Sequence, residues 1–162
     1  MLNFKPHSEQ DIPNRVKWLN NKAVKFALEN FDHVTDLVEQ EKWFKDYESN
    51  DSKKFFTIYF NDLPIGFMGL SRIDSERRSA NVFILIGEDE YRGKGLGKMA
   101  MNHLIDYAFR ELDLKILELD VYNQNLPAIN LYKALNFKIV EEDGEFFKME
   151  LDIKFEKRIQ TE

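Results

Sequence analysis

Residues 80–112 constrain the fold more than any other part of the chain. Residues 80–86 are apolar at almost every position, which predicts a strand that is buried on both faces. Three glycines then alternate between Gly93 and Gly97, and apolar residues recur at three- and four-residue intervals as far as Leu112. That spacing predicts an amphipathic helix. A buried strand, a glycine-rich turn and a helix in this order indicate an α/β fold in which helices cover a sheet.

The hydrophobic pattern predicts further elements on both sides of this segment. Strands are predicted at 2–5, 55–60, 65–73, 117–121, 137–140 and 147–153. Helices are predicted at 11–20, 35–47 and 125–135. The order β-α-α-β-β-β-α-β-α-β-β predicts a mixed sheet of about seven strands flanked by helices. No linker or repeat interrupts it, so residues 1–162 are expected to form a single domain.

Local signals predict some of the element ends. Asp36, with Glu39 three residues later, has the spacing of a capping box at a helix start. Gly66 and Gly69 are predicted to mark weak or bulged points of their strand. Asn136 is predicted to end the preceding helix in the left-handed conformation that glycine usually adopts.

The composition excludes several classes of function. Of the 162 residues, 23 are Lys or Arg and 29 are Asp or Glu, which gives a net charge of −6. This balance argues against general binding to nucleic acid or to an anionic membrane. The chain has no cysteine, which excludes disulfides, thiolate metal sites and a cysteine nucleophile. Its three histidines, His7, His33 and His103, are far apart in sequence, so no metal site is expected.

The sequence shows no membrane or export signal. No stretch approaches the roughly 20 apolar residues that a membrane-spanning helix needs. Residues 1–10 contain no long apolar run of the kind found in signal peptides. We therefore expect a cytoplasmic location.

The glycine-rich turn is the clearest candidate for a binding site. Residues 91–98 read Tyr-Arg-Gly-Lys-Gly-Leu-Gly-Lys. Glycines allow successive backbone N–H groups to point inward, and the start of the next helix adds partial positive charge. With Arg92, Lys94 and Lys98 in an otherwise acidic chain, the turn suits phosphate or diphosphate. A basic turn that binds no ligand is the alternative.

Two common phosphate-binding motifs do not fit this turn. A P-loop requires Gly-x-x-x-x-Gly-Lys-Ser/Thr, whereas Arg92 stands at the first glycine position and Met99 follows Lys98. The dinucleotide-binding motif requires Gly-x-Gly-x-x-Gly after the first strand of a βαβ unit. Here the spacing is Gly-x-Gly-x-Gly, and several strands precede it.

Two spaced motifs resemble those of one known family. Residues 92–97, Arg-Gly-Lys-Gly-Leu-Gly, resemble the Arg/Gln-x-x-Gly-x-Gly/Ala signature of the GNAT superfamily of acyl-CoA N-acetyltransferases. Residues 123–137 resemble the family's second motif, Asn-x-x-Ala-x-x-Leu-Tyr-x-x-x-Gly-Phe, with Asn136 in place of glycine. The element order is similar from about Phe4 to Ile153. The resemblance implies the GNAT fold, a mixed and mostly antiparallel sheet whose central parallel strand pair splays apart.

The resemblance also implies a donor and its binding residues. Acetyl-CoA is expected to give its acetyl group directly to an amine, without a metal. Its diphosphate is expected on the amides of residues 92–97, and backbone N–H groups near residues 85–87 are expected to polarise its thioester. The expected cofactor-binding residues are Leu85, Ile86, Gly87, Arg92, Gly93, Lys94, Gly95, Leu96, Gly97, Lys98, Asn123, Asn125, Ala128 and Tyr132.

Two residues are candidates for proton transfer. Tyr132 matches the family position that gives a proton to the leaving thiolate, although it is also suited to packing against the sheet. A lysine-like amine has a pKa near 10.4, so only about one molecule in two thousand is neutral at pH 7 and a base is useful. Glu88, after the central strand, is the first candidate for that base, ahead of Glu90 and Glu76. A solvated loop carboxylate is the alternative for Glu88.

The sequence defines the acceptor less well. Residues 16–20 and 39–44 resemble a branch with polyamine, amino-sugar-nucleotide and ribosomal-protein N-terminal acetyltransferases. Acidic residues within 141–145 suit a polyamine. A nucleotide sugar would need cations from the set Lys22, Lys25, Arg72, Arg77 and Arg78. We expect a small-molecule amine, with an amino sugar nucleotide and a polyamine as the candidates; the alternatives are a protein N-terminus and a non-catalytic acyl-CoA-binding regulator. The final hairpin is a candidate homodimer surface.

Overall fold

Seven strands and five α-helices make up the part of the chain that the computed structural model describes, residues 1–30 and 32–153. The strands are β1 (Leu2–Pro6), β2 (Lys54–Phe60), β3 (Leu63–Asp74), β4 (Ser79–Ile86), β5 (Ile116–Tyr122), β6 (Lys138–Asp143) and β7 (Phe146–Asp152). The helices are α1 (Ile12–Leu19), α2 (Lys22–Ala27), α3 (Leu37–Glu48), α4 (Leu96–Arg110) and α5 (Leu126–Ala134).

The strands form one sheet in the order β1-β2-β3-β4-β5-β7-β6. Neighbouring strands are antiparallel except β4 and β5, which are parallel. The β4–β5 ladder ends at the pair of Asn81 and Glu118, although β4 continues to Ile86. The predicted α/β fold is therefore confirmed, including the mixed sheet and the central parallel pair that splays apart.

Helices cover the two faces of the sheet unequally. On one face α4 and α5 pack into the main core, to which Met101, Leu104 and Ile129 contribute. On the other face α1 and α2 form a smaller cluster with β3 and β4. This cluster consists of Trp18, Val24, Phe67 and Leu85.

The first helical region contains one more helix than the sequence analysis predicts. The helix predicted over 11–20 corresponds to α1, which ends at Leu19 with Asn20 as its C-cap. The side chain of Asn21 then accepts hydrogen bonds from the N–H groups of Ala23 and Val24, which starts α2. The predicted order therefore needs correction, because α2 follows α1 where the sequence pattern predicts no helix.

Two of the local predictions have different outcomes. Asn136 has φ 70°, as predicted for a left-handed helix end. The register between β2 and β3 shifts between Ile58 and Tyr59, where the extra, unpaired residue is Ile65 of β3, next to Gly66. The predicted irregular point at Gly66 is therefore confirmed, whereas Gly69 pairs with Phe55 in regular register. Gly66 is also required by the close approach of β4, because an added Cβ would lie 2.0 Å from the carbonyl oxygen of Leu85.

A buried arginine joins α1, α3 and the sheet. The Arg15 guanidinium lies 3.6 Å from the ring centroid of Trp43 and 4.6 Å from that of Phe67. Its Nε donates to Oε1 of Gln40 at 3.0 Å. Burial, together with the charge of Arg15, lowers the pKa of the neighbouring His7 to about 4. His7 is therefore neutral at pH 7 and does not add a second positive charge beside Arg15.

None of the helices in the described residues has the length and apolar character needed to cross a membrane.

Gly66→Ala is expected to lower the free energy of unfolding by about 2–3 kcal/mol, because the added Cβ collides with the backbone of β4. Gly144→Ala is the control, since its Cβ would meet nothing within 4 Å. Its left-handed φ of 57° should cost only about 1–2 kcal/mol. Urea unfolding of both variants measures the difference, and a smaller loss for Gly66→Ala than for Gly144→Ala would contradict the close approach.

Candidate functional site

The unpaired edge of β4 is the centre of the candidate site. The carbonyl of Arg78 accepts from the N–H of Ile116 at 3.1 Å, so even-numbered positions here direct their backbone groups toward β5. The N–H of Gly87 donates the other way, to Ile65 of β3, at 2.7 Å. Because these directions alternate along a strand, the N–H groups of Ile84 and Ile86 face the space that β5 has left.

This alternation narrows the predicted set of thioester-polarising amides. The N–H groups near Leu85, Ile86 and Gly87 are the ones predicted to polarise the thioester carbonyl. The N–H of Gly87 donates to β3, and Leu85, two residues earlier on the strand, directs its N–H to the same side. Of the three residues, only Ile86 therefore presents its N–H to the split.

A mainly apolar cavity of about 440 Å³ opens along this edge. Its walls come from α2, β4, the glycine-rich turn and α5. The lining residues are Ala23, Val24, Phe26, Ala27, Ile84, Leu85, Ile86, Tyr91, Arg92, Gly93, Gly95, Gly97, Lys98, Asn125, Pro127, Ala128, Leu131 and Tyr132. The predicted cofactor-binding residues all belong to this set except Gly87, Lys94, Leu96 and Asn123.

The wall formed by α2 was missed by the sequence analysis. Its lining residues include Ala23, Ala27 and Phe26. The signal that would have found this helix is Asn21, because an asparagine before a short run of helix-forming residues is a typical N-cap.

The glycine-rich turn presents unpaired backbone amides. Gly93 and Gly95 have φ 72° and 79°, and an added Cβ on either would meet nothing within 4 Å. Both positions therefore need glycine for their backbone conformation rather than for space. Within the described residues, no N–H group of residues 93–98 donates to a backbone carbonyl. These groups stand at the start of the 15-residue helix α4, where an anion is favoured.

Arg92 is oriented differently from the expectation that it would supply charge to a ligand. Its Nε donates to the carbonyl of Ile86 at 2.8 Å, and its Nη2 to that of Gly87 at 3.2 Å. Its Nη1 contacts the carboxylate of Asp89. These contacts hold the Arg92 guanidinium at the end of β4. Lys94 and Lys98 are therefore the side chains of the turn that can supply positive charge to an anionic ligand.

Glu88 lies beside the split, in contact with α1. Its Oε1 accepts from Nζ of Lys17 at 2.7 Å and from Nε1 of Trp18 at 2.9 Å. Burial alone would raise the pKa of the Glu88 carboxyl, but these hydrogen bonds outweigh it and lower that pKa. The carboxylate is therefore ionised at neutral pH and is a weaker base than a free glutamate.

Tyr132 is buried on α5 and lines the cavity. Its ring contacts Phe137 edge-on, with centroids 5.7 Å apart. Burial raises the pKa of the phenol to about 12. The hydroxyl is therefore protonated throughout the neutral range and is a hydrogen-bond donor.

The two asparagines of the second motif differ in position. Asn125 lines the cavity, and its side chain accepts from the N–H of Ala128 at 3.4 Å, at the start of α5. Asn123 lies outside the lining, and its N–H donates to the carbonyl of Glu145 at 2.8 Å. The side chain of Asn125 therefore caps α5, whereas Asn123 attaches the end of β5 to the final hairpin through its backbone and its side chain accepts from Gln124.

A second, polar cavity of about 230 Å³ lies at the closed end of the split. It is lined by Arg72, Asn81, Glu118, Leu119, Asp120, Glu141, Asp143 and Lys148. Asn81 and Glu118 are the last pair of the β4–β5 ladder. Four carboxylates and two cations give this cavity a formal charge of −2, so it favours a cation.

The five cations that a nucleotide sugar would need do not form one group, because Lys22 and Lys25 lie on α2 and the three arginines lie beyond it. Arg72 lines the polar cavity. The Arg78 side chain instead donates to Oδ1 of Asp113 at 2.6 Å and to the backbone carbonyl of Asp113 at 2.8 Å. Arg77 lies 4.0 Å from Glu118, so its charge is directed to a carboxylate of the cavity.

Across residues 1–30 and 32–153, no group of three or more His, Asp or Glu side chains is arranged to hold a metal ion.

Comparison with known proteins relates this geometry to a family. The model of the acetyltransferase (GNAT) family matches residues 24–137. The acetyltransferase PseH of Campylobacter jejuni is 26% identical over 147 residues, which cover 91% of this chain and 89% of PseH. Spermidine N(1)-acetyltransferase of Escherichia coli is 31% identical over 138 residues, which cover 85% and 73% of the two chains.

The fold is also similar to a solved structure. Spermidine N-acetyltransferase from Vibrio cholerae, crystallised with CoA and spermine, superimposes with a TM-score of 0.85. The match covers 94% of this chain and 96% of the other, at 21% identity.

Gly95→Ala is expected to weaken binding of coenzyme A by about tenfold, because the added methyl group strains the left-handed turn that aligns the amides. Gly144→Ala is the matched control, since it also has a positive φ and open space but lies in the final hairpin. Isothermal titration calorimetry with coenzyme A measures both. Equal affinities for the two variants would show that the turn does not hold the ligand.

Proposed function

The chain belongs to the acetyltransferase (GNAT) family, and on that premise we propose that it transfers the acetyl group of acetyl-CoA directly to a primary amine of a small cationic molecule. The observation that carries the proposal is the junction of two features. A glycine-rich turn with unpaired amides opens onto a strand edge whose N–H groups are also unpaired. This junction suits a ligand with a diphosphate at one end and an amide-containing arm at the other.

Acetyl-CoA fits this junction in charge and shape. We place its diphosphate on the amides of residues 93–98, where Lys98 adds positive charge. Its arm carries two amides, which match the alternating N–H and C=O groups of an open strand edge. The thioester carbonyl then lies within reach of the N–H of Ile84 or Ile86, which would stabilise the negative charge that develops during attack.

Tyr132 is proposed to assist departure of the thiolate. A thiol has a pKa near 8.5, so full proton transfer from a phenol of pKa about 12 is uphill by about 5 kcal/mol. The apolar lining also raises the pKa of the departing thiol, which narrows this gap. We therefore propose that the Tyr132 hydroxyl donates a hydrogen bond to the sulfur as the C–S bond breaks.

Glu88 is proposed to receive the proton of the acceptor amine through water. Its carboxylate is ionised, and the hydrogen bonds from Lys17 and Trp18 hold it in one orientation. Because both donors bind the same oxygen, Oε1, the other oxygen is the proposed proton acceptor. Its lowered pKa makes it a weak base toward a free ammonium group, so we propose that the amine attacks in its neutral form and gives up its proton after the attack, when it has become more acidic.

The polar cavity is proposed to bind the acceptor. It lies at the closed end of the same split, and its lining carries a formal charge of −2, which the exposed Arg77 beside Glu118 offsets only in part, so it favours a polyamine over an anionic nucleotide sugar. The relatives that act on spermidine and spermine support this class of acceptor. A protein N-terminus remains the alternative acceptor. The cytoplasmic location and the homodimer stay predictions of the sequence.

The acceptor proposal predicts turnover of spermidine or spermine in a thiol-release assay with acetyl-CoA. Glu141→Gln should raise KM for the polyamine about fivefold, because it removes one partly exposed charge contact with the amine, worth about 1 kcal/mol. Glu142→Gln is the matched control, because it removes the same charge from the same strand outside the cavity lining. Turnover of N-terminal peptides or amino sugar nucleotides but of no polyamine would overturn this acceptor class.

The proton-transfer proposal predicts the pH profile. Neither Glu88 nor Tyr132 titrates between about pH 6 and pH 10, because the first pKa is lowered and the second is about 12. kcat/KM should therefore rise about tenfold per pH unit up to the pKa of the acceptor amine. Tyr132→Phe, which keeps the ring packing, should lower kcat about a hundredfold without moving the profile. An unchanged kcat in this variant would exclude Tyr132 from the reaction.

A further inference from the structure

The position of α2 needs an explanation, because this helix is one wall of the proposed cofactor cleft. It has only six residues, Lys22–Ala27, and helices shorter than about 12 residues are marginal on their own. Val24 is buried in the cluster with Trp18 and Leu85, which attaches one side of the helix to β4. The residues that hold its N-terminus are polar.

Asn21 connects the start of α2 to the turn after β4. Its Oδ1 accepts from the N–H groups of Ala23 and Val24 at 2.9 and 3.2 Å. Its Nδ2 donates to Oδ1 of Asp89 at 3.0 Å, and its Oδ1 lies 3.4 Å from Nη2 of Arg92. One side chain therefore caps the helix and contacts two charged residues of the turn, Asp89 and Arg92.

Asp89 and Arg92 continue this connection to the split itself. The guanidinium binds the Asp89 carboxylate and the carbonyls of Ile86 and Gly87. The carbonyl of Ile86 faces the split, where β5 would otherwise supply a partner. A continuous set of hydrogen bonds therefore runs from the open edge of β4, through Arg92 and Asp89, to the N-cap of α2.

The charge of Asp89 is suited to this arrangement. Hydrogen bonds from Arg92, and then from Asn21, lower the pKa of the Asp89 carboxyl. It is therefore ionised at neutral pH and orients both donors. Its neighbour Glu90 lies in the same 3-10 turn, Asp89–Tyr91, and is exposed.

We propose that Asn21 and Asp89 are positioning residues that, through Arg92, hold the α2 wall at a set distance from the open edge of β4 and so determine how tightly the cleft grips the arm of acetyl-CoA. This inference rests on the proposed function, because it takes the cleft as the site of that arm. Neither residue touches the cofactor in this account. Their effect is the preorganisation of a wall that would otherwise lose entropy when the ligand binds.

A positioning role and a merely structural role differ in what substitution changes. If the contacts only stabilise the fold, loss of Asp89 lowers the melting temperature and leaves the KM of the folded enzyme unchanged. If they set the width of the cleft, KM for acetyl-CoA and Kd for coenzyme A rise together. kcat at saturating acetyl-CoA then stays close to its original value, because the reacting groups are intact.

The test compares Asp89→Ala, Asp89→Asn and Glu90→Ala in the full chain. Asp89→Ala should raise KM for acetyl-CoA and Kd for coenzyme A by about fivefold or more, with kcat within about twofold of the original value. Asp89→Asn keeps an oxygen that accepts from Arg92 and Asn21, so it should retain most of the affinity. Glu90→Ala removes a neighbouring charge and should leave KM and Kd unchanged.

Asn21→Asp is a second route to the same result, in case Asp89→Ala does not fold. An aspartate still caps α2, but it replaces the donor to Asp89 by a like charge, so KM for acetyl-CoA should again rise. Unchanged KM and Kd in both Asp89→Ala and Asn21→Asp would overturn the inference while the original protein still binds coenzyme A. Failure of the original protein to bind coenzyme A would instead overturn the proposed function.

Discussion

The departure of β5 from β4 after the pair of Asn81 and Glu118 is the constraint on which the site depends. A strand edge that loses its neighbour exposes backbone groups that need new partners. Arg92 binds the carbonyl of Ile86, and the N–H groups of Ile84 and Ile86 stay directed into the cleft. An interruption of the ladder therefore creates both the cleft and the donors that line it.

Charge is divided between the two ends of this split. At the open end, the amides that start α4 and the side chains of Lys94 and Lys98 form a local positive region in a chain of net charge −6. At the closed end, the polar cavity carries more carboxylates than cations, Glu118 and Asp120 among them. This division suits an anionic donor and a cationic acceptor that meet between the two regions.

Much of this site could be predicted because its signals are local. Gly95 has the left-handed backbone expected of a glycine turn, Asn125 caps α5, and Asn136 ends it with φ 70°. The predictions that needed correction depend on neighbours in space. Asn21 starts α2, a helix that the sequence pattern does not predict, and Arg92 binds the end of β4 because the split leaves a carbonyl there without a strand partner.

The sequence by itself determined the elements, the glycine turn and the two motifs, because hydrophobic period, backbone freedom and capping act over a few residues. The tertiary structure decided which amides face the cleft, which helix forms its second wall, and that Glu118 and Glu141 line the same cavity. Those features depend on the side to which each strand residue directs its backbone groups and on the register between segments far apart in the chain. No local pattern encodes either of them.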